Sequence, residues 1–407
     1  MASTLPTAVE NFQRYLRIKT VQPQPDYLAC TQFLKLHAEE LGLPCTVIEV
    51  KPGKPVVIIT WEGKDPSLSS IGLNSHTDVV PVYRDHWTHD PFAAEIVTDD
   101  QGEQRIYARG TQDMKIVGWG YLEAIRNLKA AGHRFLRTVH LLFVPDEEIG
   151  SEEGMKVFVH QPEFKALNIG FMLDEGVANP DDAYYVFYAE KSAWWTRLRA
   201  EGQTGHGSQF IPNTAVSKLM PMLNTLLEFR AKEAKRLLDG GVNEDDQTPI
   251  RPGDVTSLNL TMLNGGTQVN VVPESIEANV DIRVTPRADF EEFRQWLESL
   301  AQKHDVKLEF IQYMANRNVT SLKDNPWWDI IQEASKELGI TLDTGIFPGA
   351  TDARFVRPAG IPVLGISPLR NTPILLHDND EYVTVKTFLE AIAFYEKVIS
   401  GLANNKP

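Results

Sequence analysis

Histidines and carboxylates that can bind metal ions occur in five separated segments of this 407-residue chain, each at the end of an apolar run. Imidazole nitrogens and carboxylate oxygens suit first-row divalent metals, and zinc is the leading candidate. Neither of the two cysteines lies in these segments. The histidines in these segments are His76 and His377, and the acids are Asp113 and the acidic runs at 146–148 and 174–175.

The first two segments each permit two interpretations. In the extended run SHTDVVP, residues two apart share a face, so Asp78 is expected to lie beside His76 and orient its imidazole. The alternative is a strand-end histidine capped by a local carboxylate. In ARGTQDMK, Asp113 lies where a loop meets a helix, and there a carboxylate can simply cap the helix. It can also bridge two cations about 3.5–4 Å apart, provided that other ligands converge.

Three further segments supply such ligands. The run Val139–Val144 leads into PDEEIG, where consecutive acids including Glu147 and Glu148 repel one another, and a cation would relieve that repulsion. A second apolar strand delivers two acids, Asp174 and Glu175, in FMLDEG. A third, Ile374–Leu376, delivers His377. Because ligands of α/β sheets bind outside the carboxyl ends of strands, we expect these residues to converge.

Alternating strands and helices must position these residues. The pattern predicts buried strands and helices in turn, which favours a layered α/β domain with a largely parallel or mixed sheet. The predicted strands are Cys45–Val50, Val56–Trp61, Ser70–Leu73 and Val139–Val144, and the predicted helices are Ala8–Ile18, Lys115–Ala130 and Glu152–His160.

The pattern changes near Glu190, where strands and helices follow in the order β-α-β-β-α-β of a ferredoxin-like unit. We interpret this part as an insertion, so that the first domain is discontinuous. The predicted strands are Trp194–Ala200, Thr256–Leu263, Ser275–Val284 and Val306–Tyr313, and the predicted helices are Thr214–Leu238 and Asp289–His304. The predicted domains are a catalytic domain of residues 1–188 and 314–407 and an inserted domain of residues 189–313.

Composition narrows the class of protein. An apolar fraction of 42% and a charged fraction of 23% are those of an ordinary globular protein. The net charge of -15 argues against a nucleic-acid partner, since phosphate binding needs clustered lysine and arginine. Without a run of 18 apolar residues or a basic-then-apolar leader, and with only two cysteines, we expect a cytoplasmic protein with no membrane partner.

The motifs HTDVVP, ARGTQDMK, PDEEIGSEEG, LDEG and LLHDND, in this order, resemble those of the M20 metallopeptidase family over nearly the whole chain. Runs such as NSHTDVVPV and HWTHDPF are similar to its branch of N-acyl amino acid amidohydrolases. Many family members have Gly after the lysine of the second motif, whereas this chain has Ile116, and that branch also lacks the Gly. The resemblance implies a zinc-peptidase-like α/β/α catalytic domain with an inserted ferredoxin-like dimerisation (lid) domain.

The resemblance also implies a role for each ligand. His76, Asp113 and Glu175 would bind one zinc ion. Asp113, Glu148 and His377 would bind a second, so that each subunit holds two Zn²⁺ ions bridged by Asp113. Glu147 would be the general base, taking a proton as a zinc-bound water attacks the amide carbon.

Further residues match family positions outside the metal site. His206, in TGHGS, would reach the active site of the other subunit of a homodimer; without the resemblance it is a histidine in a glycine-rich loop. Asn270 and Arg283 match substrate-contacting positions, although they also fit plain surface residues of strands. Arg354, with Thr351 in the same segment, is the candidate for pairing with the substrate α-carboxylate, which a guanidinium binds bidentately.

The predicted activity is hydrolysis of a small-molecule N-acyl-L-amino acid to a carboxylate and a free L-amino acid. A dipeptidase or carboxypeptidase on the same scaffold is the alternative, because its substrates also place an amide beside a free carboxylate. A non-catalytic binding protein is disfavoured, because every ligand position and Glu147 are intact.

Overall fold

The computed structural model describes residues 5–315, 317 and 319–406. The helices of this part are α1 (Thr7–Leu16), α2 (Tyr27–Glu40), α3 (Lys115–Ala130), α4 (Met155–Phe158), α5 (Pro162–Ala166), α6 (Ala215–Leu238), α7 (Phe290–Lys303), α8 (Pro326–Glu337), α9 (Ala353–Val356) and α10 (Val385–Asn404). The strands are β1 (Cys45–Lys51), β2 (Lys54–Trp61), β3 (Ser70–His76), β4 (Glu95–Thr98), β5 (Gln104–Tyr107), β6 (Val139–Val144), β7 (Ile169–Asp174), β8 (Ala183–Glu190), β9 (Ser192–Glu201), β10 (Gly205–His206), β11 (Ser257–Gly265), β12 (Val271–Val272), β13 (Ser275–Val284), β14 (Lys307–Gln312), β15 (Thr341–Phe347), β16 (Val363–Gly365) and β17 (Tyr382–Thr384).

The chain divides into two compact units. Unit 1 contains the described residues of 1–188, 320–344 and 351–407, and unit 2 contains those of 189–319 and 345–350. The short segment 345–350 therefore groups with unit 2, whereas the sequence placed it in the second part of the catalytic domain. The predicted fold class, an α/β protein of two domains, is confirmed.

The main sheet has eight strands in the order β1-β2-β6-β3-β7-β16-β8-β15. Its central strands β6, β3 and β7 are parallel neighbours, whereas β2 pairs antiparallel with β6, so the sheet is mixed. Every residue of β3 and β6 is buried, as expected for strands covered on both faces. The carboxyl ends of β6, β3 and β7 therefore lie along one edge of the sheet.

Helix α3 packs closely on this sheet. A side-chain carbon at Gly118 would lie 2.5 Å from Ser75 Oγ and 2.8 Å from Phe143 Cε1, so only glycine permits this approach. Trp119 and Leu122 of the same helix belong to the main hydrophobic core. The amino-terminal end of α3, which directly follows the loop of Asp113, is thereby held against the strand that ends at His76.

Unit 2 contains a four-stranded antiparallel sheet in the order β11-β13-β9-β14. Along the chain its main elements follow as β9, α6, β11, β13, α7 and β14, so the predicted β-α-β-β-α-β order is confirmed. Trp194, Leu219 and Leu297 lie in a hydrophobic core of its own. The short strands β10 and β12 form a separate antiparallel pair.

The predicted helix Glu152–His160 was wrong, because only the single turn α4 forms there. The chain first makes a tight turn in which Gly150 and Ser151 have positive φ angles of 99° and 57°. At Gly154 a side-chain carbon would lie 2.1 Å from the carbonyl oxygen of Pro145. The backbone from Gly150 to Gly154 is therefore fixed in a turn, and the helix can begin only after it.

The predicted strand Ile374–Leu376 was also wrong, because these residues form a loop. The side chain of Gln112 supplies the hydrogen bonds that a neighbouring strand would have made. Its Nε2 donates to Pro373 O at 3.0 Å, and the backbone N–H of Leu375 donates to its Oε1 at 2.9 Å. A short apolar run does not show whether its backbone partner is a strand or a side chain.

Among residues 5–315, 317 and 319–406, none of the helices combines the length and the apolar character that crossing a lipid bilayer requires.

Candidate metal centre

The two carboxylate oxygens of Asp113 face two different histidines. Its Oδ1 lies 3.0 Å from His76 Nε2, and its Oδ2 lies 3.1 Å from His377 Nε2. Each histidine nitrogen also approaches one further carboxylate: His76 Nε2 lies 3.5 Å from Glu175 Oε2, and His377 Nε2 lies 3.0 Å from Glu148 Oε2. The ligand atoms thus form two sets that share only Asp113.

The parallel strands bring most of these residues together. His76 is the last residue of β3, Glu147 and Glu148 follow the turn after β6, and Glu175 directly follows β7. Their convergence at one sheet edge is the arrangement expected for α/β sheets. Asp113 enters from the loop before α3. His377 lies in the loop that was wrongly predicted to be a strand.

A second grouping of the same residues is also geometrically compact. The ligand atoms of His76, Asp113 and Glu148 lie within 4.8 Å of one another, and so do those of His76, Glu147 and Glu175. A limit of 4.8 Å between ligand atoms does not distinguish the ligands of one ion from those of a second ion about 3.5–4 Å away. We therefore prefer the division given by the shorter contacts, in which each oxygen of Asp113 faces one histidine.

The cluster concentrates negative charge in a buried place. Burial and the charge of Asp113 raise the pKa of Glu148 to about 7, and burial raises that of Glu175 well above its usual range. Burial by itself would lower the pKa of His76. The neighbouring Glu175 and Asp113 nevertheless raise this pKa well above its usual range. All of these shifts show that the cluster favours added positive charge.

The unused hydrogen-bonding capacity of the site also fits a cation. Glu148 Oε1 is buried and accepts no hydrogen bond from any residue in the described part of the chain. A buried carboxylate oxygen without a donor is costly unless a cation compensates it. With two imidazole nitrogens and three carboxylates, the donor set fits two divalent metal ions.

Glu147 lies beside the cluster but outside both ligand sets. Its Oε1 accepts a hydrogen bond from Arg354 Nη1 at 3.0 Å, and both side chains are buried. Burial raises the pKa of Glu147 to about 7, although Arg354 opposes the shift. The carboxyl group is thus placed beside the ligand sets and held by Arg354, which is the position that a general base requires.

Asp78 forms hydrogen bonds both with His76 and with the turn that carries Glu147 and Glu148. The ring nitrogen Nδ1 of His76 lies 2.9 Å from the carbonyl oxygen of Asp78, but 3.6 Å from its carboxylate. Since a carbonyl only accepts, Nδ1 donates to it, and Nε2 is the nitrogen that would bind a metal. The carboxylate accepts instead from the backbone N–H groups of Glu147 (3.2 Å) and Glu148 (3.3 Å).

A buried hydrogen-bond network that was not predicted from the sequence lies behind this turn. Tyr27 Oη donates to Asp146 Oδ1 at 2.7 Å, and Gln22 Nε2 donates both to Asp146 Oδ1 at 3.1 Å and to Asp78 Oδ2 at 2.9 Å. Asp146 has a positive φ of 64°, and its carboxylate accepts from Tyr27 and Gln22. The run of three acids was the available signal, but nothing in the N-terminal segment marked Gln22 or Tyr27.

The remaining candidate residues are divided between the two units of the chain. Arg354, in α9, lies at the metal centre through Glu147, and Thr351 is buried three residues earlier. His206, Asn270 and Arg283 belong to unit 2. There the N–H of Gly207 donates to Asn270 O at 2.8 Å, which joins the His206 and Asn270 segments, whereas Arg283 binds Asp281 of its own strand through two hydrogen bonds.

Known proteins are similar to this chain over most of its length. The model of peptidase family M20/M25/M40 matches residues 72–401. Aminoacylase-1 of Sus scrofa is 49% identical over 400 residues, which are 98% of this chain and 95% of that protein. Aminoacylase-1 of Dictyostelium discoideum is 42% identical over 403 residues, with 97% of both chains covered.

Solved structures show the same fold at low identity. An M20 family metallo-carboxypeptidase from Sulfolobus solfataricus superposes with a TM-score of 0.73 at 18% identity, over 97% of this chain and 99% of that one. A dinuclear metal-binding peptidase of the M20 family from Bacillus subtilis gives a TM-score of 0.68 at 15% identity, over 98% of both chains.

Proposed function

This chain belongs to peptidase family M20/M25/M40, and from that premise we propose that it hydrolyses N-acyl-L-amino acids to a carboxylate and a free L-amino acid with two divalent metal ions. The observation that carries the proposal is the division of the ligand atoms between the two oxygens of Asp113. The substrate class rests on the similarity to aminoacylase-1 over nearly the full length of both chains.

The two ligand sets would hold one ion each. His76, Asp113 and Glu175 form the first set, and Asp113, Glu148 and His377 form the second. We propose zinc as the metal in both, because this mixture of imidazole and carboxylate ligands is typical of catalytic zinc sites. When bound, the two ions would lower the pKa of a water molecule and polarise the amide carbonyl of the substrate.

Glu147 would serve as the general base. Its carboxylate stands beside His76 and Glu175 without belonging to either ligand set, and it would accept a proton from the attacking water. The same carboxyl group would then give that proton to the nitrogen of the leaving amine. Arg354 holds Glu147 Oε1 at 3.0 Å and thereby fixes the direction of the carboxylate.

Part of the substrate site would come from a second copy of the chain. We place the exposed His206 of a partner subunit as the hydrogen-bond donor to the oxyanion, with Asn270 beside it. Arg283 and Thr351 would contact the substrate, and Arg354, besides holding Glu147, would approach its α-carboxylate.

Exposed apolar residues in unit 2 support a homodimer. Val216, Met220 and Leu227 are exposed on one stripe of α6, because their spacing brings them to the same side of the helix. Met262 and Leu263 are about half exposed on β11, an edge strand of the four-stranded sheet. An apolar stripe and an unpaired edge together favour pairing with another copy.

A cytoplasmic location belongs to the same proposal. Both cysteines, Cys30 and Cys45, are free thiols, which is usual where glutathione keeps thiols reduced.

The substrate class is tested by comparing N-acetyl-L-methionine with glycyl-L-methionine at equal zinc. The two compounds share the scissile amide and the carboxylate and differ by one ammonium group. We expect kcat/KM to be higher for the N-acetyl compound by about tenfold or more. A higher value for the dipeptide would instead establish the dipeptidase alternative on this scaffold.

A further inference from the structure

We propose that Glu381 is a positioning residue of the metal centre, whose carboxylate holds the loop of the bridging Asp113 in register with the loop of His377. This inference rests on the proposed two-metal function. Glu381 itself is not a ligand, since its oxygens face the 109–113 loop and belong to neither ligand set.

The carboxylate of Glu381 collects four donors from that one loop. Its Oε2 accepts from Arg109 Nη1 at 2.7 Å and from Gly110 N at 3.1 Å. Its Oε1 accepts from Gln112 N at 2.6 Å and from Asp113 N at 3.3 Å. Glu381 is completely buried, so water does not compete for these donors.

Strand pairing sets this arrangement. Glu381 directly precedes β17, which pairs antiparallel with β5 from Tyr382 opposite Tyr107. The pairing continues for one step beyond the strands, because the N–H of Ala108 donates to Glu381 O at 3.1 Å. The side chain of Glu381 is thereby delivered to the loop that follows β5.

The same loop is tied to the segment before His377. Gln112, whose backbone N–H binds Glu381, uses its side chain to bind Pro373 O and Leu375 N. Glu381 lies only four residues after His377. The loop of Asp113 and the loop of His377, which both supply ligands to the second set, are therefore joined through Glu381 and Gln112.

Only a carboxylate satisfies all four donors. An ionised carboxylate accepts through both oxygens, whereas a glutamine offers one acceptor oxygen and turns an NH₂ group towards further N–H groups. Leaving buried donors unpaired is costly, so the loop would shift to find other acceptors. A shift of the Asp113 backbone would misplace both of its oxygens, and with them both metal sites.

The test is the metal affinity of the variant Glu381→Gln, measured for Zn²⁺ by competition with a chelator and for Co²⁺ by its visible absorption spectrum. We expect affinity to fall about 10–100-fold, as for other partners that orient metal ligands, and the cobalt spectrum to change. Glu123→Gln is the matched control, because Glu123 is also buried and paired with an arginine, Arg126 at 3.1 Å, but supports no ligand loop. Its metal affinity should equal that of wild-type protein.

A folded Glu381→Gln protein with wild-type metal affinity and cobalt spectrum would overturn the inference. If that variant does not fold, Glu381→Asp decides, because it keeps the charge opposite Arg109 and only withdraws the oxygens from the loop. Weaker metal binding by the aspartate supports the inference, and wild-type binding rejects it. These measurements need no substrate, so they are independent of whether wild-type protein hydrolyses N-acyl amino acids.

Discussion

Replacing Glu147 by glutamine is expected to lower kcat by about 10²–10⁴-fold, the usual contribution of a general base. Metal content should stay at the wild-type level, because Glu147 lies outside both ligand sets. The amide keeps an acceptor oxygen for Arg354, which now bonds Glu147 Oε1 at 3.0 Å. The variant therefore loses the ability to take a proton without losing the shape of the site.

The comparison needs steady-state kinetics with N-acetyl-L-methionine and elemental analysis of the same preparations. Glu152→Gln is the control, since Glu152 lies five residues further along and pairs with Lys156 at the surface. The control should have wild-type kcat. Activity of the Glu147 variant within a few-fold of wild type would remove Glu147 as the base.

Replacing His206 by alanine is expected to lower kcat by about 10²–10³-fold, as is usual when one oxyanion donor is lost. KM should change little, because such a donor acts mainly in the transition state. Metal content should not change, since His206 belongs to neither ligand set. His304→Ala, which removes another histidine from unit 2, is the matched control and should keep wild-type kcat.

Mixed dimers distinguish a donor from the partner subunit from a donor within the same chain. A hybrid of His206→Ala and Glu147→Gln subunits has one complete site, built from the Glu147 of the first chain and the His206 of the second. When equal amounts of the two variants assemble at random, about half of the dimers are hybrids with one complete site of two. Activity should therefore return to about a quarter of the wild-type value. Confirmed hybrids that stay inactive would refute the shared site.

The elements of the fold were well predicted where the hydrophobic pattern was long. Helix Lys115–Ala130 and strand Val139–Val144 have the predicted bounds, and the order of elements in unit 2 was correct. These segments bury a continuous face, so periodicity determines their structure. The turn at Gly150 depends instead on positive φ angles at Gly150 and Ser151. The loop at Leu375 depends on hydrogen bonds with the side chain of the distant Gln112. Neither feature is contained in the hydrophobic pattern.

The same distinction applies to the site. His76, Glu148 and Glu175 were predictable because parallel strands carry them to one edge, and acids after buried runs stand out. Glu381 and Tyr27 were not predictable as supporting residues. Their partners lie in other segments, and hydrogen bonds to backbone groups leave no mark on composition or spacing.

The central proposal is that the two carboxylate oxygens of Asp113 would help to hold two metal ions in each chain. The most direct test is X-ray absorption spectroscopy of the zinc-loaded wild-type protein, combined with a count of zinc per chain by elemental analysis. We expect two zinc ions per chain and a metal–metal scattering distance of about 3.5–4 Å, which is the usual separation in two-metal sites. One zinc ion per chain, or two without scattering at that distance, would contradict the account.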